Sequence, residues 1–178
     1  TRSNNKILVL PNSGGSHTPL NQVYRLIDLV LKLSIERKSL NIYLKPHPAD
    51  FKDNVLNYLN RNSEGIPDNL VLMNKKEQIQ FQDFDILVIN NSAAGTEAAI
   101  FAVPVIIVCK NKDEIMVPQY IEEGIGEFAS DYLEFARAID KVLSDKDTYK
   151  DRCDKFVNLN YSNQGKSVEA VMNILLQN

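Results

Sequence analysis

The sequence predicts an α/β fold with a doubly wound parallel sheet of about six strands and a helical C-terminus. Three observations carry that expectation. Short runs of continuous apolar, β-favouring residues recur along the chain, amphipathic helical segments alternate with them, and proline- or glycine-containing turns stop each run. Strands that are apolar throughout are buried on both faces, as in a parallel sheet with helices on each side, and not in an antiparallel sandwich with one wet side.

The first run, Lys6 to Leu10, ends at Pro11 and the turn-forming Asn12-Ser13-Gly14-Gly15. Thr18 can cap a helix whose first position suits Pro19, and Leu20, Val23, Tyr24, Ile27, Val30, Leu31 and Ile35 then recur at helical spacing. Asn41 to Leu44 is a second strand, stopped by Pro46 and Pro48. A helix from Asp50 through Arg61 should follow, with Phe51, Val55 and Leu59 inward. Leu70 to Met73, Ile86 to Ile89 and Val105 to Val108 are the third, fourth and fifth strands, and a small-residue helix from Ala93 to Phe101 joins the last two. Met116 to Phe128 is the weakest stretch, where Gly124 and Gly126 flank a short sixth strand. From about Ser130 the pattern is helical to the end, with Leu133, Ala136, Ile139 and Val142 as one stripe and Val168, Val171, Ile174 and Leu175 as another.

Composition narrows the function classes. At 178 residues and 44% hydrophobic, the whole of residues 1–178 is expected to form a single domain around one core. With 20 basic against 23 acidic side chains the net charge is -3, so no global field draws the chain to nucleic acid or anionic lipid, and any phosphate must be captured locally. Cys109 and Cys153 show neither metal spacing nor disulfide density, so no metal is expected and a reducing cytosol is the simplest compartment. The longest mainly apolar stretch, Ala98 to Cys109, is too short to span a bilayer and is broken by Pro104. The chain opens at Thr1, without a methionine and a few residues before its first strand, which suggests a piece of something longer.

Ligands of open parallel sheets bind beyond the carboxyl ends of the strands, and three constellations fall there. Ser13, Gly14 and Gly15, with Asn12 before them and Ser16 and His17 after, form a flexible polar loop feeding a helix N-terminus, where unpaired N–H groups favour an anion. The loop is neither a Walker loop nor a GxGxxG fingerprint. In Lys45-Pro46-His47-Pro48 the two prolines fix the backbone around His47. A rigid imidazole beside a lysine suits a phosphate oxygen, although a plain loop histidine and a snorkelling lysine would read the same. In Asn91-Ser92-Ala93 small residues admit a ligand and the Ser92 hydroxyl can hold phosphate. Glu97, five positions after Ser92, could accept hydrogen bonds from two ribose hydroxyls; alternatively Ser92 is an N-cap and Glu97 a dipole partner.

Together these residues resemble the C-terminal domain of GT-B-fold glycosyltransferases, particularly the bacterial capsule-polysaccharide, polysialic acid and Kdo transferase group. The likeness covers nearly the whole chain: Lys45 to Pro48 match its Lys-Pro-His-Pro element, and Asn91-Ser92 match its serine element, which often has a second serine where Ala93 stands. The wider superfamily has a serine, then Glu-Ala, then Gly-x-Pro-Val-Ile, here Ser92, Glu97-Ala98 and Ala102 to Ile106; Val103 stands where a glycine is usual before the proline. The resemblance implies a Rossmann-like half of a two-domain enzyme with a nucleotide-sugar donor (CMP-, CDP- or UDP-linked) as substrate and no cofactor. It implies phosphate contacts at Lys45, His47, Ser92 and their neighbours, ribose at Glu97, and a catalytic role for His47 in stabilising the leaving phosphate. It further implies a carbohydrate or lipid-linked acceptor, an N-terminal GT-B domain as partner, and a cytoplasmic site peripheral to the inner membrane through the rest of the enzyme. UDP-N-acetylglucosamine 2-epimerases rank second: their Ser-Gly-Gly-x-x-Glu-Glu-Ala element is similar to Ser92 through Ala98, with Ala93-Ala94 for the glycines and Thr96 for the first glutamate. A flavin-binding module is a third reading, weakened because the chain has no Trp and its tyrosines form no evident stacking pair, and a receiver domain is excluded because Pro11-Asn12-Ser13 offers no metal-binding acids.

Overall fold

The structure is a computed structural model that describes residues 5–14, 18–61 and 65–161. Six parallel strands, β1 (Lys6–Leu10), β2 (Asn41–Leu44), β3 (Leu70–Leu72), β4 (Ile86–Ile89), β5 (Val105–Val108) and β6 (Gly126–Ala129), form one sheet in the order β3-β2-β1-β4-β5-β6. The fold is therefore the doubly wound, Rossmann-like α/β class that the patterning predicts. Strand order reverses between β1 and β4, which places a topological switch point at the carboxyl ends of these two strands.

Alternate residues of each central strand enter opposite cores. Ile7, Val9, Val88 and Ile106 pack with α1 (Leu20–Glu36), α2 (Asn54–Leu59) and α5 (Tyr132–Ser144), whereas Leu8, Leu87 and Ile107 pack with α3 (Ala94–Ile100), α4 (Gln119–Glu122) and α6 (Lys146–Asn160). That division is why the strands read as unbroken apolar runs.

The structure corrects several boundaries. α2 starts at Asn54, not Asp50, because Asp53 takes a left-handed φ of 48° and the Asp50 carboxylate reaches forward to the N–H groups of Asn54 and Val55. Phe51 lies in the turn before that helix and is 86% exposed instead of inward. α1 begins at Leu20 with no side-chain cap, since the Thr18 hydroxyl is taken by Asn12, and its terminal Leu20 and Ile35 are exposed. On α5 the buried stripe is Phe135, Ala138, Ile139 and Val142. Leu133 is 63% exposed, because at about 100° per residue it lies roughly 120° around the helix from Ile139. β6 starts on Gly126, where an added Cβ would sit 2.4 Å from the Val105 carbonyl, and the weak stretch before it contains the short α4. The stripe at Val168, Val171, Ile174 and Leu175 lies outside the described residues.

Candidate functional site

Four loops meet at the carboxyl edge of the sheet. After β1, Pro11 is buried and Asn12 bridges outward, its Nδ2 donating to Thr18 Oγ1 at 2.8 Å and to the Asn91 carbonyl at 2.7 Å. This amide joins the β1 loop to the β4 loop across the switch point. Ser13 and Gly14 are half-buried beside it, and Gly14 has a φ of 76°; Gly15, Ser16 and His17 lie outside the described residues.

After β2, Lys45 is buried and its Nζ donates to the Lys75 carbonyl at 3.0 Å, so this ammonium faces the loop after β3. Burial holds it below the ordinary lysine range, and the Glu77 carboxylate opposes that shift. Lys75 in turn donates to the Asp50 carbonyl and to Asp53, and the buried Asp50 carboxylate accepts from Asn54 Nδ2 as well as from the α2 backbone. The loop between Pro46 and Asp50 is thus held from both ends. His47 at its apex is exposed, with Nδ1 accepting the Ala49 N–H at 3.0 Å. In the neutral ring that bond leaves the proton on Nε2, a donor of the kind that suits a phosphate oxygen.

After β4, Asn90 and Asn91 are buried and Ser92 is half-buried, its Oγ accepting the Ala94 N–H at 3.2 Å, so the hydroxyl proton remains able to donate. Ala93 and Glu97 are exposed, Glu97 in the first turn of α3. The small residues here divide by role. Ala98 and Ala99 pack under the sheet, and an added Cβ at Gly95 would meet the ring of Tyr120. The Tyr120 hydroxyl bonds with Thr96 Oγ1 at 2.8 Å and reaches the Ala93 carbonyl at 3.4 Å; burial pushes this phenol up, with the Thr96 bonds opposing. The segment after β5 supplies Glu114, whose backbone carbonyl accepts from Asn91 Nδ2 at 2.7 Å.

The edge therefore brings Ser13, Gly14, Asn91, Ser92 and Ala93 to one switch point, with the Lys45–His47 loop on the adjoining strand. Glu114 and Tyr120 were not among the sequence-derived site residues, and Asn12 entered only as part of the polar loop after β1. Asn12 reads as a turn former, and the other two fall in or beside the stretch with the least periodicity. Two aromatic pairs were also illegible, Tyr24 stacked on Tyr58 at 4.2 Å and Tyr43 edge-on to Phe84 at 5.4 Å. The first pair is parallel, at an interplanar angle of 4°, and the second is close to perpendicular, at 75°. Among the described residues no group of three or more His, Cys, Asp or Glu could hold a metal, and no helix is long and apolar enough to cross a membrane.

No family model matches the sequence, and no curated protein matches it. Solved structures do. Over 100% of its length the chain superposes on 46% of UDP-GlcNAc 2-epimerase from Neisseria meningitidis bound to UDP-GlcNAc, with a TM-score of 0.69 and 14% identity. It covers 44% of the wall teichoic acid polymerase TagF (98% of this chain, TM-score 0.61, 13% identity) and 44% of α,α-trehalose 6-phosphate synthase from Burkholderia multivorans (97% of this chain, TM-score 0.61, 9% identity). The chain spans less than half the length of each. At such identities the likeness shows the fold: a six-stranded, Rossmann-like domain of the kind that makes up part of each of these enzymes.

Proposed function

We propose that this chain is the donor-binding domain of a glycosyltransferase that takes a CMP-, CDP- or UDP-activated sugar in bacterial surface polysaccharide synthesis. The observation that carries the proposal is the arrangement of the carboxyl edge, where a braced loop presents the His47 Nε2 donor on the strand next to the switch point that carries Ser92 and, one helical turn on, Glu97. His47 and Ser92 are assigned to phosphate and Glu97 to ribose. Lys45, with its Nζ on the Lys75 carbonyl, braces the His47 loop and adds charge behind it.

In transfer by an inverting route, an acceptor oxygen forms the new bond to the anomeric carbon while the bond from that carbon to the donor phosphate breaks, and the phosphate oxygen keeps the electron pair. The acceptor proton passes to a base that we assign to a second domain. Negative charge grows on the leaving phosphate, so donors held there before reaction act by electrostatic stabilisation, and removal of one should cost on the order of 10²–10³ in rate. Aligning acceptor and donor in a water-poor cleft needs both domains, so residues 1–178 alone should bind nucleotide without turnover.

Calorimetry against CMP, CDP, UDP, GDP and FMN tests the donor assignment; preference for FMN, or no binding at millimolar ligand, removes it. His47→Ala should weaken nucleotide binding more than nucleoside binding, and Glu97→Gln the reverse. Equal losses on both ligands would return His47 to a purely structural part.

The epimerase reading has one specific observation in its favour, the TM-score of 0.69 to the meningococcal enzyme. Thr96 weighs against it, standing where the epimerase element has a glutamate and bonding its hydroxyl to Tyr120. With a second domain restored, inversion at C2 of UDP-GlcNAc in the absence of any acceptor would favour the epimerase.

A further inference from the structure

We infer that Asn91 is a positioning residue: with Glu114 and Tyr120 it forms a clasp that fixes the Ser92 turn and the Met116 segment as one wall of the donor cleft, and it does not itself contact phosphate. This inference rests on the donor-site reading above.

The Asn91 side chain is buried, and both heteroatoms of its amide hold backbone partners. Nδ2 donates to the Glu114 carbonyl at 2.7 Å, Oδ1 accepts the Met116 N–H at 3.2 Å, and the residue's own carbonyl accepts from Asn12 Nδ2 at 2.7 Å. The orientation of the amide is determined, because a flip would set NH2 against the Met116 N–H and oxygen against the Glu114 carbonyl. Both heteroatoms are turned to the 114–116 backbone, and losing the amide would leave a buried carbonyl and N–H unpaired at a cost of about 1–3 kcal/mol each.

The same segment grips the turn from its other side. Past Pro118 the chain enters α4, where Tyr120 lies against Gly95 and bonds to Thr96 and to the Ala93 carbonyl. Residues 114–120 therefore hold the Asn91–Thr96 turn at both ends, with Ser92 between the two grips. Apart from one 3-10 turn at Lys112–Glu114 and the short α4, this stretch has no regular structure of its own, so its path is set by these bonds. Glu114 anchors it further: its carboxylate accepts from Gln22 Nε2 at 2.9 Å and from Asn111 Nδ2 at 3.2 Å, tying it to α1. The outcome is a fixed wall that leaves Met116 58% exposed near the Ser92 turn.

The test compares wild type with Asn91→Ala, Glu114→Ala and Glu114→Gln in the full chain, reading UDP and CMP affinity by calorimetry and the Met116 amide by hydrogen exchange. Asn91→Ala removes two bonds to the segment and should weaken the preferred nucleotide about tenfold, at about 1.4 kcal/mol per decade. Glu114→Ala, whose side chain faces α1, should weaken it roughly three- to fivefold through lost anchoring. Both should speed Met116 exchange while β1 and β4 amides stay protected, and Glu114→Gln, which keeps an acceptor oxygen, should restore most of the affinity. Should Asn91→Ala fail to fold, the Glu114 pair carries the test alone. Loss of affinity in Asn91→Ala with Glu114→Ala unchanged and Met116 protection intact would make Asn91 a direct ligand and overturn the clasp. Wild-type affinity in both alanine variants would overturn it too. A wild-type chain that binds neither UDP nor CMP sinks the donor-site reading and the clasp's purpose with it, a result distinct from either of those.

Discussion

Gly95→Ala tests whether the small residues after β4 serve packing or ligand approach. An alanine Cβ at this position would lie 2.5 Å from Tyr120 Cε2, 2.8 Å from Cζ and 3.1 Å from Cδ2. Carbon atoms prefer about 3.5–4.0 Å, so the ring must retreat by about 1 Å. Little room exists for that. Tyr120 is 1% exposed, stands edge-on to Phe156 with centroids 6.0 Å apart, and its hydroxyl is held by Thr96. Overpacking of a rigid core site costs about 1–3 kcal/mol, and this site belongs toward the upper end. Against that, alanine in a helix gains up to about 1 kcal/mol over glycine. The packing term wins, with a net loss of about 1–2 kcal/mol. At about 2–4 °C per kcal/mol for a chain of this size, Tm should fall by roughly 2–8 °C in scanning calorimetry. Tyr120→Leu in the same chain should recover part of the loss, because the two substitutions share one contact and are not additive. A Gly95→Ala protein as stable as wild type, or more so, would refute the argument and return Gly95 to the ligand side of the turn.

Ala102→Gly should stabilise. Ala102 has a φ of 56° and closes α3 in a Schellman arrangement, with its N–H on the Ala99 carbonyl and the Val103 N–H on the Ala98 carbonyl. Relief of about 1–2 kcal/mol of left-handed strain exceeds the extra glycine entropy of about 0.5–1 kcal/mol, so calorimetry should show Tm up by about 1–4 °C, and a fall would count against it. The buried thiols should make the fold alkali-sensitive. Burial first, and acidic neighbours second, push Cys109 up to about 11 and Cys153 up to about 12. Folded values raised above the unfolded value mean stability that is full below about pH 9 and is lost as pH rises toward about 11–12, by up to about 1.4 kcal/mol per unit for each group. Urea midpoints across that range should fall less steeply in Cys153→Ala than in wild type, and an unchanged slope would contradict the assignment.

Much of the fold was legible because its signals are local. A strand buried on both faces must be apolar along its buried length, so Ile7 to Leu10, Ile86–Ile89 and Val105–Val108 announce themselves, and their alternation with helices points to a parallel sheet. The carboxyl-edge loops followed from that order. Helix faces were less secure: on α5 the stripe read from the sequence ran through Leu133, whereas docking against the sheet buries Phe135 and leaves Leu133 in solvent.

What the sequence by itself determined, then, is the strand-helix alternation and the placement of His47, Ser92 and Glu97 after strands. Tertiary structure decided which polar groups at that edge are free. Lys45 and Asn91 read as ligand groups in the sequence, and in the fold their side chains bond the backbones of Lys75 and of Glu114 and Met116. Asn12, a turn residue in sequence, joins a loop 79 positions away. The reason is physical. Burial of apolar residues follows from a repeat of two or 3.6 within a segment, whereas the partner of a buried amide or ammonium is whichever unpaired backbone group the fold brings within about 3 Å, and that group comes from another loop.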